Sequence, residues 1–293
     1  MFRRIATAAA ALTLTVPLAA LPAAAGPPDG KGPGERPDTS SRSVEWYLAL
    51  GDSLAAGFQP GVGDDLDGGY VGHVLDGLQE DYAKTKLVNL ACSGETSATM
   101  IDGGRCSYDQ GNQLDAAEQF LRAHKDKVST VTIDIGANDV QQCVRGGTID
   151  TACIAAGMQA TMTNLPLILT TLDKAAHPDT EIVVGNYYNP FLAASLLGPE
   201  GRQLAQTSAV LQDQLNGIIA GAAWSVDAEV ADVAYAFDSD VQTLVPFMGT
   251  TAPLNVVRIC SWTWMCSWNP PDIHANDTGY AVMGQTFLAA LAE

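Results

Sequence analysis

The stretch YLALGDSLAAG, residues 47–57, decides how this chain is read. Four apolar residues run into Gly51-Asp52-Ser53, and the small residues Ala55 and Ala56 follow. A short apolar run bounded by a turn signal is the mark of a buried strand, and the turn that ends it falls on a carboxylate and a hydroxyl. Taken alone, Ser53 fits a helix N-cap as well as it fits an exposed nucleophile. The remainder of the sequence has to separate these two readings.

Working outward, further apolar runs of strand length occupy Trp46–Leu50, Leu87–Cys92, Val128–Ile135 and Ile182–Tyr187, with a possible fifth at Val230–Phe237. Helical periodicity fills the gaps. Val71, Val74, Leu75 and Leu78 share one face of 70–82, and Leu114, Ala117, Phe120 and Leu121 share one face of the segment from Gln113. Longer patterns run through IAAGMQATMTNLPLILTTLDKAA and QLAQTSAVLQDQLNGIIAGAAW, and a last helix, DTGYAVMGQTFLAALAE, has Asp277 as its expected N-cap. Strands alternating with helices predict an α/β fold, a three-layer α/β/α sandwich around a parallel sheet of about five strands. In such sheets ligands bind beyond the carboxyl ends of the strands.

The N-terminal 26 residues carry Arg3 and Arg4, an apolar run broken by Pro17 and Pro22, and then small residues, the pattern of a secretory signal peptide cleaved after Ala25. The Pro/Gly/Ser-rich stretch to Arg42 reads as a disordered linker. One domain is expected over 43–293, and no later segment reads as apolar for long enough to span a bilayer. The formal net charge of −18 argues against nucleic-acid or anionic-membrane partners, which require a basic face. No partner beyond a small-molecule or lipid substrate is expected, and the chain is expected to be a monomer.

The six cysteines, even in number in an exported chain, predict three disulfides. Six cysteines allow fifteen connectivities. Three local pairs, Cys92–Cys106, Cys143–Cys153 and Cys260–Cys266, are favoured over a zinc site, which lacks any C-x-x-C spacing. Each bridge would close a short loop and contribute roughly 2–3 kcal/mol.

Four blocks lie at the expected strand ends and before the last helix: GDSL (51–54), SGETS with Gly94, IGAND with Asn138 and Asp139, and PPDIHAND with Asp272 and His274. Together they resemble the SGNH/GDSL hydrolase family, and the exported, cysteine-paired chain is similar to its secreted actinobacterial lipases and esterases. The resemblance implies a carboxylic ester hydrolase that needs no cofactor or metal. Ser53 is then the nucleophile and His274 its general base. The Ser53 N–H, the Gly94 N–H and the Asn138 side chain form the oxyanion hole. No G-x-S-x-G occurs in the mature chain, so the nucleophile elbow of the α/β-hydrolases is not expected.

The family usually has an aspartate three residues before this histidine. Here that position is Pro271, and Asp272 stands two before. Either Asp272 orients His274 as in a triad, or the Pro271 carbonyl does so in a Ser–His dyad. Asp52 and Asp139 read as structural turn residues. Two stretches stay open. Trp262, Trp264 and Trp268 either line an acyl pocket or pack as a cluster under a stapled loop, and the glycine- and aspartate-rich loop 57–70 either flanks the site or binds a cation, though it lacks an EF-hand pattern. Substrates in reach of these readings are acyl esters, phospholipids and O-acetylated carbohydrates. The remaining class is a non-catalytic binding module on the same fold.

Overall fold

The computed structural model describes residues 44–145 and 148–292. The expected signal peptide (1–25) and linker (26–42) lie outside the described residues. Five parallel strands form the central sheet: β1 (Trp46–Gly51), β2 (Lys86–Asn89), β3 (Val128–Asp134), β6 (Glu181–Gly185) and β7 (Glu229–Ala231), in the order β2-β1-β3-β6-β7. Every residue of β3 is buried, as a central strand covered on both faces requires. Two short antiparallel pairs, β4 (Val144–Arg145) with β5 (Thr148–Ile149) and β8 (Leu244–Phe247) with β9 (Thr250–Pro253), stand outside it.

The connections fix the layers. From β1 the chain moves one way to β2 through α1 (Gly69–Asp81). It then crosses back the other way through α2 (Ser97–Asp102) and α3 (Gln113–Ala123) to β3. After α4 (Ala137–Gln141), α5 (Thr151–Ala175) leads to β6, and α6 (Pro199–Trp224) to β7. Right-handed crossovers in opposite directions put α1 on one face and α3, α5 and α6 on the other. The chain closes with α7 (Val233–Ala236), α8 (Leu254–Trp262) and α9 (Asp277–Ala290), which packs on α1. That contact is close: a Cβ at Gly284 would run into His73, and one at Gly77 into Leu288. The order reverses at β1, so the crevice for a ligand opens beyond the carboxyl ends of β1 and β3.

Four expectations are corrected. The fifth strand is three residues long rather than running to Phe237. Asp232 caps a helical turn by accepting from Tyr235 N, and Asn186 Oδ1 accepts from Ala234 N, so the chain turns out of the sheet. The last helix is capped by Asn276, whose side chain accepts from Thr278 N and Gly279 N; Asp277 occupies the first turn, where a carboxylate meets the positive end of the helix dipole. The second strand stops at Asn89, whose amide turns away to the Ala55 and Leu66 carbonyls. Finally, α5 is long and apolar enough, by length and composition, to cross a membrane. In this fold Leu165, Ile168, Leu169 and Leu172 are fully buried, and the helix packs on α3, α4 and α6.

Three disulfides join Cys92–Cys106, Cys143–Cys153 and Cys260–Cys266.

Gly51 ends β1 with φ 137°, and a Cβ there would strike the Asp134 carbonyl and lie 2.8 Å from Asp134 Oδ1. Gly51→Ala is therefore expected to cost about 2–4 kcal/mol from overpacking and backbone strain. Gly217→Ala in α6, where a Cβ meets open space, should be neutral or stabilising by up to about 1 kcal/mol. Urea midpoints of the two variants check both signs.

Candidate active site

The turn after β1 is built from its own backbone. Ala56 N donates to Asp52 O, Phe58 N donates to Ser53 O, and Leu54 N donates to Asp52 Oδ1. Behind it, Gln113 at the start of α3 clamps Gly51: its Oε1 accepts from Gly51 N at 2.7 Å, and its Nε2 donates to Gly51 O at 3.1 Å and to Glu95 Oε2 at 3.1 Å. One glutamine thus ties the Ser53 turn to the loop that carries Gly94 and Glu95. Ser53 is 9% exposed, so its hydroxyl meets solvent only at the cleft.

Against this turn stands His274. Its Nε2 lies 2.8 Å from Ser53 Oγ, and its Nδ1 lies 2.7 Å from Asp272 Oδ1. The same Asp272 oxygen accepts from His274 N at 2.9 Å, so one carboxylate fixes both the backbone and the ring. The segment is pinned from two sides. Trp264 N donates to His274 O, and Tyr188 OH donates to Ile273 O. Phe58 lies against the imidazole face with ring centroids 4.4 Å apart. With both ring nitrogens bonded and one face covered, His274 has a single orientation.

Asn138 enters at the start of α4, beyond β3. Its Nδ2 donates one hydrogen to Glu95 O at 2.9 Å, which leaves the second for another acceptor. Ser53, Asn138 and His274 line one open cleft of about 300 Å³, together with Tyr187, Tyr188, Pro190 and Ile273. Gly94 is not among the cleft's lining residues; it sits in the β2–α2 loop with φ 81°, and the Arg105 guanidinium covers its Cα. Arg105 Nε holds the loop by donating to Ser93 O at 2.8 Å.

Asp139 accepts from Ser97 N and Ser97 Oγ and so caps the loop into α2, with burial raising its carboxyl pKa. Asp52 accepts from Leu54 N and from Tyr187 OH at 2.9 Å, and burial raises its pKa too. The three indoles of the last disulfide loop stay outside the cleft lining. Trp262 packs edge-on to Phe237 under Arg258, and Trp264 donates to Gln59 Oε1 at 2.6 Å while packing on Trp268. Trp264, with Trp268 against Gly61, ties the loop 57–70 to the His274 segment. Among the described residues no group of three or more His, Cys, Asp or Glu is placed to hold a metal ion.

Gln113, Phe58, Tyr187 and Asp134 were missed in the sequence. Gln113, Tyr187 and Asp134 reach the site across the fold, and Phe58, in the Ser53 turn, meets His274 across it; no local spacing marks any of these contacts.

The arrangement places a hydroxyl beside an imidazole whose other nitrogen faces a carboxylate, with an amide donor across the same cleft. That is the equipment for nucleophilic acyl transfer. Comparison with known proteins agrees. The model of a family described as GDSL-like lipase/acylhydrolase matches residues 49–282. The chain is similar in fold to a variant of the acetyl xylan esterase Axe2 from Geobacillus stearothermophilus, at 19% identity over 85% of this chain and 95% of that one, with a TM-score of 0.52. It is also similar to a putative GDSL-like lipase from Parabacteroides merdae, at 16% identity over 85% of this chain and 96% of that one, with a TM-score of 0.53. A comparison with curated proteins finds no match.

Proposed function

This chain belongs to the GDSL-like lipase/acylhydrolase family and is a carboxylic ester hydrolase, and from that premise we propose that it is an exported, monomeric serine esterase working through a Ser53 acyl-enzyme. The observation that carries the proposal is the 2.8 Å contact between Ser53 Oγ and His274 Nε2. His274 takes the hydroxyl proton as Ser53 attacks the ester carbonyl. The oxyanion is met by the Ser53 N–H and the free hydrogen of Asn138 Nδ2, which line the cleft, and the family resemblance adds the Gly94 N–H from the neighbouring β2–α2 loop. The His274 imidazolium, held by Asp272, then protonates the leaving alcohol, and a water activated by the same histidine releases the acid.

The 2.7 Å contact of Asp272 with Nδ1 favours the triad over a dyad through Pro271. For the substrate, a cleft of about 300 Å³ that is open to solvent supports short acyl groups rather than long lipid chains. The leaving group would lie outside the cleft, which leaves alcohols and acetylated sugars both eligible. The three disulfides support export.

The test is a hydrolysis profile over chromogenic esters of increasing acyl length, with a phospholipid and an acetylated xylo-oligosaccharide alongside. Rates highest for acetate to butyrate, with labelling of Ser53 by an active-site phosphonate, are the expected result. A maximum at long acyl chains or on the phospholipid would replace the short-chain reading with a lipase or a phospholipase. Failure of the phosphonate to label Ser53 would leave a binding module.

A further inference from the structure

Beneath Ser53 lies a pair of carboxyl groups that the acyl transfer does not touch. Asp52 follows β1 and Asp134 ends β3; they are 2% and 1% exposed. Asp52 N donates to Asp134 O at 3.1 Å, which holds the two residues side by side. Their side chains lie within hydrogen-bonding reach of each other. The outer oxygens are already served: Tyr70 OH donates to Asp134 Oδ1 at 2.6 Å, and Tyr187 OH donates to Asp52 Oδ2 at 2.9 Å. Asp134 Oδ2 is buried and accepts from no donor among the described residues.

Ionised carboxylates only accept hydrogen bonds. Two of them, buried together, would lose their hydration and repel each other, and neither tyrosine has a second proton to give. One added proton removes both difficulties. It turns the orphaned Asp134 oxygen into a donor, and Asp52 supplies the acceptor.

We propose that Asp52 and Asp134 hold one proton between them, carried on Asp134 Oδ2 and donated to Asp52, so that the pair keeps a single fixed negative charge under the Ser53–His274 contact. The surroundings support this. Burial pushes the Asp134 carboxyl well above its ordinary range, and the neighbouring Asp52 charge pushes it further. The other groups facing the pair are the hydroxyls of Tyr47, Tyr70 and Tyr187 and, at longer range, Tyr188, Tyr280, Glu95 and Asp139, none of which brings a positive charge. Among the described residues His274 is the one facing group that becomes cationic, and its field favours the ionised form of Asp52. The shared proton does not depend on the proposed base function of His274.

One readout that needs no turnover tests it. Infrared spectra near neutral pH should show the carbonyl stretch of a protonated carboxylic acid that shifts in heavy water, disappears in Asp134→Asn and survives in Glu95→Gln. Absence of the acid band from the wild-type protein overturns the proposal even if no variant folds. So does an acid band that persists unchanged in Asp134→Asn, because the proton would then sit on another carboxyl group. If the serine mechanism is wrong, that shows separately, as turnover retained in Ser53→Ala.

Discussion

Ser53→Ala is expected to lower kcat/KM on a soluble chromogenic ester by roughly 10⁴–10⁶-fold, the range found when the nucleophile of a cooperating hydroxyl–imidazole unit is removed. His274→Ala should cost a similar factor, and the double variant little more than either, because the two groups act as one. The residual rate would come from the Gly94 and Asn138 donors and from binding. Among the described residues Ser53 Oγ hydrogen-bonds to His274 alone, so alanine leaves no buried polar atom unpaired in the turn. Unfolding midpoints should therefore stay close to wild type and separate loss of chemistry from loss of fold. Turnover near the wild-type rate in either single variant would sink the assignment.

The second large effect concerns Asp272, and here the geometry predicts a difference between two substitutions. One oxygen, Oδ1, accepts from both His274 N and Nδ1. An asparagine can present its own Oδ1 to the same two donors, so Asp272→Asn keeps the tautomer and removes only the charge. A charge-assisted hydrogen bond contributes about 1.5–3 kcal/mol, so the expected loss in kcat is roughly 10–100-fold. Asp272→Ala removes the anchor of ring and backbone together and should lose roughly 10²–10⁴-fold. Equal, small losses in both variants would hand the orienting role to a backbone carbonyl such as that of Pro271. Steady-state kinetics on the two variants distinguishes these outcomes.

The sequence revealed the layers more readily than the edges. Buried parallel strands are continuous apolar runs, so Trp46–Leu50 and 128–134 stood out, and helical spacing marked the elements between them. The failures share a cause. Val230–Phe237 is apolar enough for a strand, but the hydrogen bonds of Asp232 and Asn186 bend it into a helix after three residues. Polar side chains bonding to backbone groups decided the end of β2, where Asn89 donates to the Ala55 carbonyl, and the cap of α9, where Asn276 accepts from Thr278 N. Of the site, the four blocks were legible because each sits at a strand end or before a helix. Gln113, Phe58 and Tyr187 were not, since each meets its partner only after the sheet has formed. The spacing of Asp272 left its role open; the 2.7 Å contact with Nδ1 is a property of the folded loop, not of the count of residues.

The packing of α9 on α1 has a consequence for when this protein can act. Ser53 and His274 are separated by 221 positions along the chain and meet only because the last helix docks beside the first. An unfolded or partly folded chain holds every one of the chemical groups and yet no site: the imidazole and the hydroxyl are then separate, ordinary side chains. Ester cleavage is thus an all-or-none signal of a finished fold, and counting active molecules counts those in which the two ends of the domain have found each other.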